Sequence, residues 1–487
     1  MCSVVKLSES DSYLQERICI LKTEKALRAG GKIKLTAKEV EVNKLILDEK
    51  SAELSKAHKN VSEYLPSRHF FQAKGDIDRS KVFSIIKNIP KGASLHTHLL
   101  AAVSVDFIVE NITYRDNIYG CFLNGNFKLT FLQNANQDTR CLWKELKEYR
   151  KEDADFDNWL RKQLSLEVEN PAATYPSIDV IWQRFKKIFT TAYDMLCYRP
   201  VFEDYIYQLL TELYLDNVMY TELRGTFMPL YELNGTIYDT EEFFKIFIAT
   251  VEKFKQVYPK FVGVRYIHSI YRGVTSEVLK SGLDELMGMK IMYPNFIAGF
   301  DFVGYEEEGK HIVHFHKELS EASRQLKFYF HAGETSWYGY TDLNLVDAVL
   351  LNTSRIGHGF GLPKHPVLME MVKARDISIE LCPISNQVLM LNQDPRNHPA
   401  VYLIANGFPV VICNDDPSAW GATGLSYDWY VVFMAMTSEK AGIEVLKQFA
   451  MNSIIYSAMS DHEKIEALEK WNLDWNKFLD NILNVLA

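Results

Sequence analysis

The 487-residue sequence has no run approaching the roughly eighteen uninterrupted apolar residues that a membrane span needs. It has no basic surplus. Its 54 Lys and Arg against 63 Asp and Glu give a net charge of −9, which argues against a nucleic-acid binder and gives no support for docking on anionic membranes. None of its seven cysteines stands in CxxC spacing, so a structural zinc ribbon is not expected. The N-terminus, MCSVVKLSESDSYLQERICIL, lacks a basic segment followed by an apolar one; read literally, the chain is cytosolic or already processed. There is no internal repeat. What is present is ordinary for a globular protein, 47% hydrophobic and 24% charged residues, which excludes a disordered or collagen-like chain. The length exceeds one minimal domain and fits a large α/β domain with additions, or two to three modules. Asn-x-Ser/Thr sequons begin at Asn60, Asn111, Asn234 and Asn352. About three arise by chance at average composition, so they permit secretion without establishing it.

Residues 1–90 read as helical. Thr36 and Glu39 form a Thr-x-x-Glu capping box. The Lys-, Glu-, Leu- and Ala-rich segment that follows, up to about Ala57, is expected to be a surface or dimer-contacting helix. Beyond Pro90 the pattern changes to short runs dense in β-branched and aromatic residues, each followed by a longer amphipathic stretch. The runs are Ala93–Leu99, Val218–Leu223, Phe261–His268, Phe296–Val303, Lys327–His331, Ser354–His358, Ile377–Leu381 and Pro409–Cys413. Near-continuous apolar strands imply burial on both faces, as in a parallel sheet. Eight strand-plus-helix units predict a (β/α)8 barrel over residues 86–487. The gap between the first two runs is too long for one crossover, so residues 115–175 are expected to be an insertion.

The chemistry-bearing residues stand at the C-terminal ends of four of these strands, the catalytic face of such a barrel. The first ends in Leu95-His96-Thr97-His98, and residues i and i+2 of a strand point the same way, although such a pair also occurs on exposed strands. The fifth ends in His331-Ala332-Gly333-Glu334, where Gly333 allows a sharp turn that brings Glu334 to the mouth as a candidate proton carrier. The sixth ends in Gly357-His358-Gly359, a close-approach motif around an imidazole. The eighth ends in Asn414-Asp415-Asp416-Pro417. Adjacent carboxylates are not buried cheaply without a cation or donors, and Asp-Pro is also a common turn pair. Together, three imidazoles and a carboxylate suit Zn²⁺. His96, His98, His331 and Asp415 are the expected ligands of one zinc per chain. Such an ion lowers the pKa of a bound water towards about 7, leaving Glu334 and His358 to move protons and Asp416 to hold substrate.

His-x-His, His-Ala-Gly-Glu, Gly-His-Gly and Asp-Asp-Pro in this order resemble the adenosine deaminase branch of the amidohydrolases. The match is closer to its secreted growth-factor subgroup, through Pro90-Lys91-Gly92, Asn111-Ile112-Thr113-Tyr114, Gly299-Phe300-Asp301, the run Cys382–Leu389, Arg396-Asn397-His398-Pro399, Gly424–Asp428 and Met451–Ile454. The resemblance spans essentially the whole chain. It implies zinc-dependent deamination of adenosine or a close 6-aminopurine nucleoside. Glu334 would protonate purine N1, His358 would orient the attacking water, Asp416 would face N7 and the Gly304 amide N3. Trp182 and Trp337 would be pocket aromatics. Residues 1–85 would form a homodimer, and Cys121 and Cys141 the insertion's disulfide, with the other five cysteines free. The same resemblance implies an extracellular protein with growth-factor-like signalling and a cell-surface receptor or glycosaminoglycan as a further partner. Two departures stand on the ribose side. The subgroup has an Asp, one or two residues after His-x-His, that holds the 5′-hydroxyl; here those places are Leu99 and Leu100. A His expected before Arg272 is Tyr271. Alternatives are therefore a deaminase of altered 5′ specificity, acting on 5′-deoxy- or 5′-methylthioadenosine, and a non-catalytic extracellular ligand on the same fold.

Overall fold

Eight parallel strands form a closed ring in the structure, a computed structural model that describes residues 9–486. They are β1 (Gly92–His98), β2 (Val218–Gly225), β3 (Gly263–Tyr271), β4 (Ile297–Val303), β5 (Lys327–Phe328 and His331–Ala332), β6 (Arg355–His358), β7 (Ser378–Leu381) and β8 (Val410–Ile412). Each coincides with one of the eight apolar runs. β5 is interrupted at Tyr329–Phe330; its first piece pairs with β4 and its second with β6. Closure comes at the mouth. The Asp415 N–H donates to His96 O at 3.0 Å, and the His98 N–H donates to Asp415 O at 2.9 Å. The end of β8 is thereby locked to the end of β1, and their functional side chains meet.

The segment between β1 and β2 carries a three-stranded antiparallel sheet, Ile118–Leu123, Asn126–Phe131 and Lys144–Glu145. Its hairpin turns at Asn124 and Gly125, both with positive φ, as a two-residue hairpin turn requires. Cys121 and Cys141 are disulfide-bonded across it. Cys19 is also disulfide-bonded, which corrects the expectation that the other five cysteines are free; Cys197, Cys382 and Cys413 are free and buried, and Cys2 lies outside the described residues. The Cys121–Cys141 bond closes a loop of 20 residues. Its removal in a double Ala variant is expected to cost about 3 kcal/mol on the chain-entropy account. Denaturant unfolding of the variant beside the natural chain measures this; equal midpoints and slopes would refute it.

The N-terminal helices follow the local signals. The capping box forms, with the Glu39 N–H donating to Thr36 Oγ1 and the Thr36 N–H to Glu39 Oε2. The helix it starts, Ala37–Lys59, lies at the surface with Val40, Glu41, Lys44 and Asp48 exposed, and on its inward face it buries Val42, Ile46, Lys50 and Leu54, an i, i+4 stripe packed against the C-terminal helices of its own chain. Lys50 stands in that stripe. Its ammonium is enclosed by Thr437 Oγ1 and the carbonyls of Ser438 and Ala441, so a charged residue lies on the inward face. The exposed apolar face belongs to the preceding helix, Glu9–Leu27, where Leu14, Ile18 and Leu21 are open.

Candidate active site

Alternation along β1 sends Thr97 to one side, where its hydroxyl meets Asn414 Oδ1 at 2.6 Å, and His96 and His98 to the other. Their Nε2 atoms lie 3.3 Å apart. Asp415 Oδ1 stands 3.2 and 3.1 Å from these two nitrogens yet takes a hydrogen bond from neither. His331 completes the set: one donor atom each from His96, His98, His331 and Asp415 falls within 4.8 Å of the others. Three imidazoles and one carboxylate converging in a buried site, with a buried carboxylate oxygen left unsatisfied, fit a divalent zinc-like ion. A second overlapping group, His96, His358, Cys382 and Asp415, has the same spacing.

The far nitrogens of the imidazoles are held by carboxylates. His96 Nδ1 is 2.8 Å from Glu380 and His331 Nδ1 is 2.6 Å from Asp301, the arrangement that fixes ring orientation at metal sites. These carboxylates belong to a buried layer below the mouth. Arg224 bridges Asp301 at 2.8 Å and Glu380 at 2.5 Å, and Arg355 bridges Glu380 and Glu222, each at 2.5 Å. None of these five charged residues stood out as functional in the sequence. The available signal was a charge inside an otherwise apolar strand.

Local backbone explains how the catalytic ends are exposed. Gly333 has φ +73, and a Cβ there would stand 2.7 Å from Leu345 Cδ1, so the turn to Glu334 needs glycine. A Cβ on Gly357 would lie 3.2 Å from both His331 Cα and His96 Cε1, so β6 approaches the donor set closely. His358 and Asp415 themselves sit at φ +58, a conformation costing about 1–3 kcal/mol for a non-glycine residue.

Electrostatics separates the carboxyls. Burial, and then the charge of Asp415, pushes both Glu334 and Asp416 well above the usual carboxylate range. Asp415 goes the other way: burial opposes its charge, but His96 and His98 hold it well below that range. Burial lowers His331 to about 4 and also lowers His98 and His358, whereas at His96 the carboxylates of Asp415 and Glu380 outweigh burial and raise it; a metal binds the neutral form of each ring. His358 Nδ1 is 3.6 Å from Glu334 Oε1, and its Nε2 is 3.8 Å from Asp415 Oδ2. Asn386 Nδ2 lies 3.1 Å from His358 Nδ1, so a residue of the Cys382–Leu389 run, not singled out earlier, holds that ring.

All of this faces a cavity of about 390 Å³ lined by His98, His331, Glu334, His358, Asp415, Asp416 and Gly304. Trp182 is 7% exposed and stacks on Tyr305, centroids 4.7 Å apart and planes 14° from parallel. It rises from the helix Ile178–Leu196 that follows the insertion. Trp337 is placed differently: it is 61% exposed on the loop beyond Glu334 and does not line this cavity. Leu99, Leu100 and Tyr271 do. A cleft of about 600 Å³ lies at the opposite end of the barrel, beside Gly92, Val218 and Trp471, and contains none of the donor residues.

The family described as adenosine deaminase matches residues 162–472, and the one described as adenosine/AMP deaminase N-terminal matches residues 3–86. Human adenosine deaminase 2 is 41% identical over 479 residues, covering 96% of this chain and 93% of its own length. An adenosine deaminase of Phlebotomus duboscqi is 40% identical, covering 97% and 92%. Among solved structures, Arabidopsis ADAL complexed with IMP superposes with a TM-score of 0.58 at 17% identity, covering 81% of this chain and 99% of that one. A Burkholderia ambifaria amidohydrolase with bound Zn superposes at 0.54 and 19% identity, covering 83% and 95%. These two likenesses concern the fold. With 40–41% sequence identity to these relatives along nearly the whole length, the chain belongs to the adenosine deaminase family.

Proposed function

We propose that this chain hydrolyses the 6-amino group of adenosine, or of a close 6-aminopurine nucleoside, to give the inosine analogue and ammonia. The observation that carries the reading is the convergence of His96, His98, His331 and Asp415 within 4.8 Å of one another at a cavity that the buried carboxyls of Glu334 and Asp416 also line, both pushed upward by burial and by the charge of Asp415. A purine presents acceptor nitrogens at N1, N7 and N3, and each needs a donor. Glu334 supplies one to N1, Asp416 one to N7, and the Gly304 amide one to N3. His96, His98, His331 and Asp415 hold the metal, which we assign as zinc from its donor set; bound there, it supplies Lewis-acid activation of a water. Proton transfer from Glu334 to N1 draws electron density from C6 and makes that carbon open to attack. His358 takes up the proton released by the attacking water and returns it to the departing amine. Trp182 and Tyr305 wall the base and exclude solvent.

The test is incubation with a panel of adenine nucleosides, read by loss of the 6-amino chromophore. No change with any of them, in metal-replete protein, would refute the reading. A non-catalytic role gives no physical reason for Glu334 to be buried beside a donor set.

Two further features belong to the same reading. The disulfide across the insertion fits folding in an oxidising compartment, and we assign the protein to the extracellular space on that ground and on its resemblance. Growth-factor-like signalling and a receptor or glycosaminoglycan partner rest on the resemblance alone. A second copy of the chain covers the open face of the helix Glu9–Leu27. Leu14→Glu with Leu21→Glu is expected to convert a dimer to a monomer in light scattering at unchanged activity. Deleting residues 1–85 would be a poorer test, because it would strip Val42, Ile46 and Leu54 from the core. A variant that stays dimeric puts the contact elsewhere.

A further inference from the structure

Glu306 belongs to no motif and ligates nothing, yet it is fully buried in the loop leaving β4, two residues after Gly304. A carboxylate withdrawn from water needs its lone pairs filled. Here they are filled by the turn that carries Glu334. Oε1 accepts the Glu334 N–H at 2.8 Å, and Oε2 accepts the Gly333 N–H at 3.2 Å. The left-handed Gly333 turns two successive amides towards one anion, a nest whose anion is a side chain. Asn344 Nδ2 donates to the same Oε2 at 2.7 Å, and Asn344 Oδ1 in turn accepts the Ile312 N–H at 2.8 Å. Arg272 Nη1 stands 3.7 Å from Oε2, while Nη2 of the same guanidinium donates to His331 O at 3.1 Å. Glu307 adds a second stitch, accepting from Thr335 Oγ1 at 2.8 Å and from the Tyr305 hydroxyl at 2.9 Å.

We propose that Glu306 is a positioning residue of the reaction: it clamps the backbone at Gly333 and Glu334, so that the Glu334 carboxyl is held in register with the Gly304 edge of the cavity. The inference rests on the reading of Glu334 as proton donor to N1. Loss of the clamp would leave two buried amides without an acceptor, and the turn would relax to satisfy them. A shift of about 1 Å in a catalytic group costs on the order of a hundredfold in rate.

Glu306→Gln keeps the shape but turns an amide N–H2 towards donors on one side. It is expected to lower kcat about 10- to 100-fold while KM stays within about threefold and metal content per chain is unchanged. The deciding measurement is the same substitution on a Glu334→Gln background. If Glu306 acts through Glu334, the double variant falls within about twofold of Glu334→Gln alone, the signature of two residues working as one unit. Should Glu306→Gln fail to fold, Asn344→Ala, which removes one partner of the clamp, is read in the same way. A kcat within about twofold of the natural chain, or losses that multiply in the double variant, would overturn the inference while leaving the deaminase reading intact. A natural chain inactive on every adenine nucleoside overturns both.

Discussion

Glu334→Gln is expected to keep its metal and to lose about 10²–10⁴-fold in kcat, the usual worth of a general acid, whereas His331→Ala is expected to lose metal and activity together. The two residues lie three positions apart on the same strand end, so the contrast isolates chemistry from location. Glu334 is outside the four-residue donor set. Gln matches it in volume and can still donate a hydrogen bond to N1, but cannot hand over a proton. Burial, and then the charge of Asp415, push the natural carboxyl well above the usual carboxylate range, the direction a proton donor needs, and the amide has no such proton to give. His331 is different because its Nδ1 is committed to Asp301 at 2.6 Å. Alanine there removes a donor atom from the set and one partner of Asp301, which keeps Arg224 and the residue 331 backbone N–H. Elemental analysis beside steady-state kinetics separates the outcomes. Full activity in metal-free protein, or a full metal complement in His331→Ala, would refute the assignment.

The strands and the mouth residues were legible in the sequence because they obey local rules. An apolar run bounded by turn residues marks a strand buried on both faces, and the step of two in His96-Thr97-His98 puts two rings on one side. Gly333 and Gly357 were legible as glycines that a sharp turn or a close approach would need. The charged layer beneath was not legible, because each of its members reads as a solvent-facing interruption until its partner is known. Arg224 and Asp301 are 77 residues apart in sequence, and His96 and Glu380 are 284 apart. Nothing local to Glu380 says that it orients a ring on β1. The same holds for Glu306, whose partners are backbone amides of another loop, and for Lys50, whose charge hid the inward face of a helix. Trp337 shows the converse: its proximity to Glu334 along the chain does not carry it into the cavity lining, because the loop after Glu334 turns outward.

The ribose end of the cavity leads to the remaining expectation, a shift of preference towards substrates with an apolar 5′ group. Leu99 is 1% exposed and, with Leu100, lines the cavity where a carboxylate is expected from the resemblance. Its side chain packs against the Gly225 backbone, 3.2 Å from where a Cβ would stand, so it is fixed in place rather than swung away. Losing a hydrogen bond between a carboxylate and the 5′-hydroxyl costs about 1.5–3 kcal/mol when nothing replaces it, roughly ten- to a hundredfold in kcat/KM for adenosine. A hydroxyl buried against leucine is also left unpaired, a cost that 5′-deoxyadenosine and 5′-methylthioadenosine escape. Tyr271 is a counterweight. It is 48% exposed and lines the same cavity, with its ring 2.6 Å from where a Cβ on Gly304 would stand. That ring covers the edge assigned to N3, and its hydroxyl is a candidate to replace the missing carboxylate. Comparing kcat/KM for adenosine and 5′-deoxyadenosine in the natural chain, in Leu99→Asp and in Tyr271→Phe distinguishes the two. Leu99→Asp is expected to gain on adenosine alone, by roughly tenfold or more. If the natural chain strongly prefers adenosine, Leu99→Asp gains nothing and Tyr271→Phe loses that preference, then tyrosine holds the 5′-hydroxyl and the leucines only shape the wall.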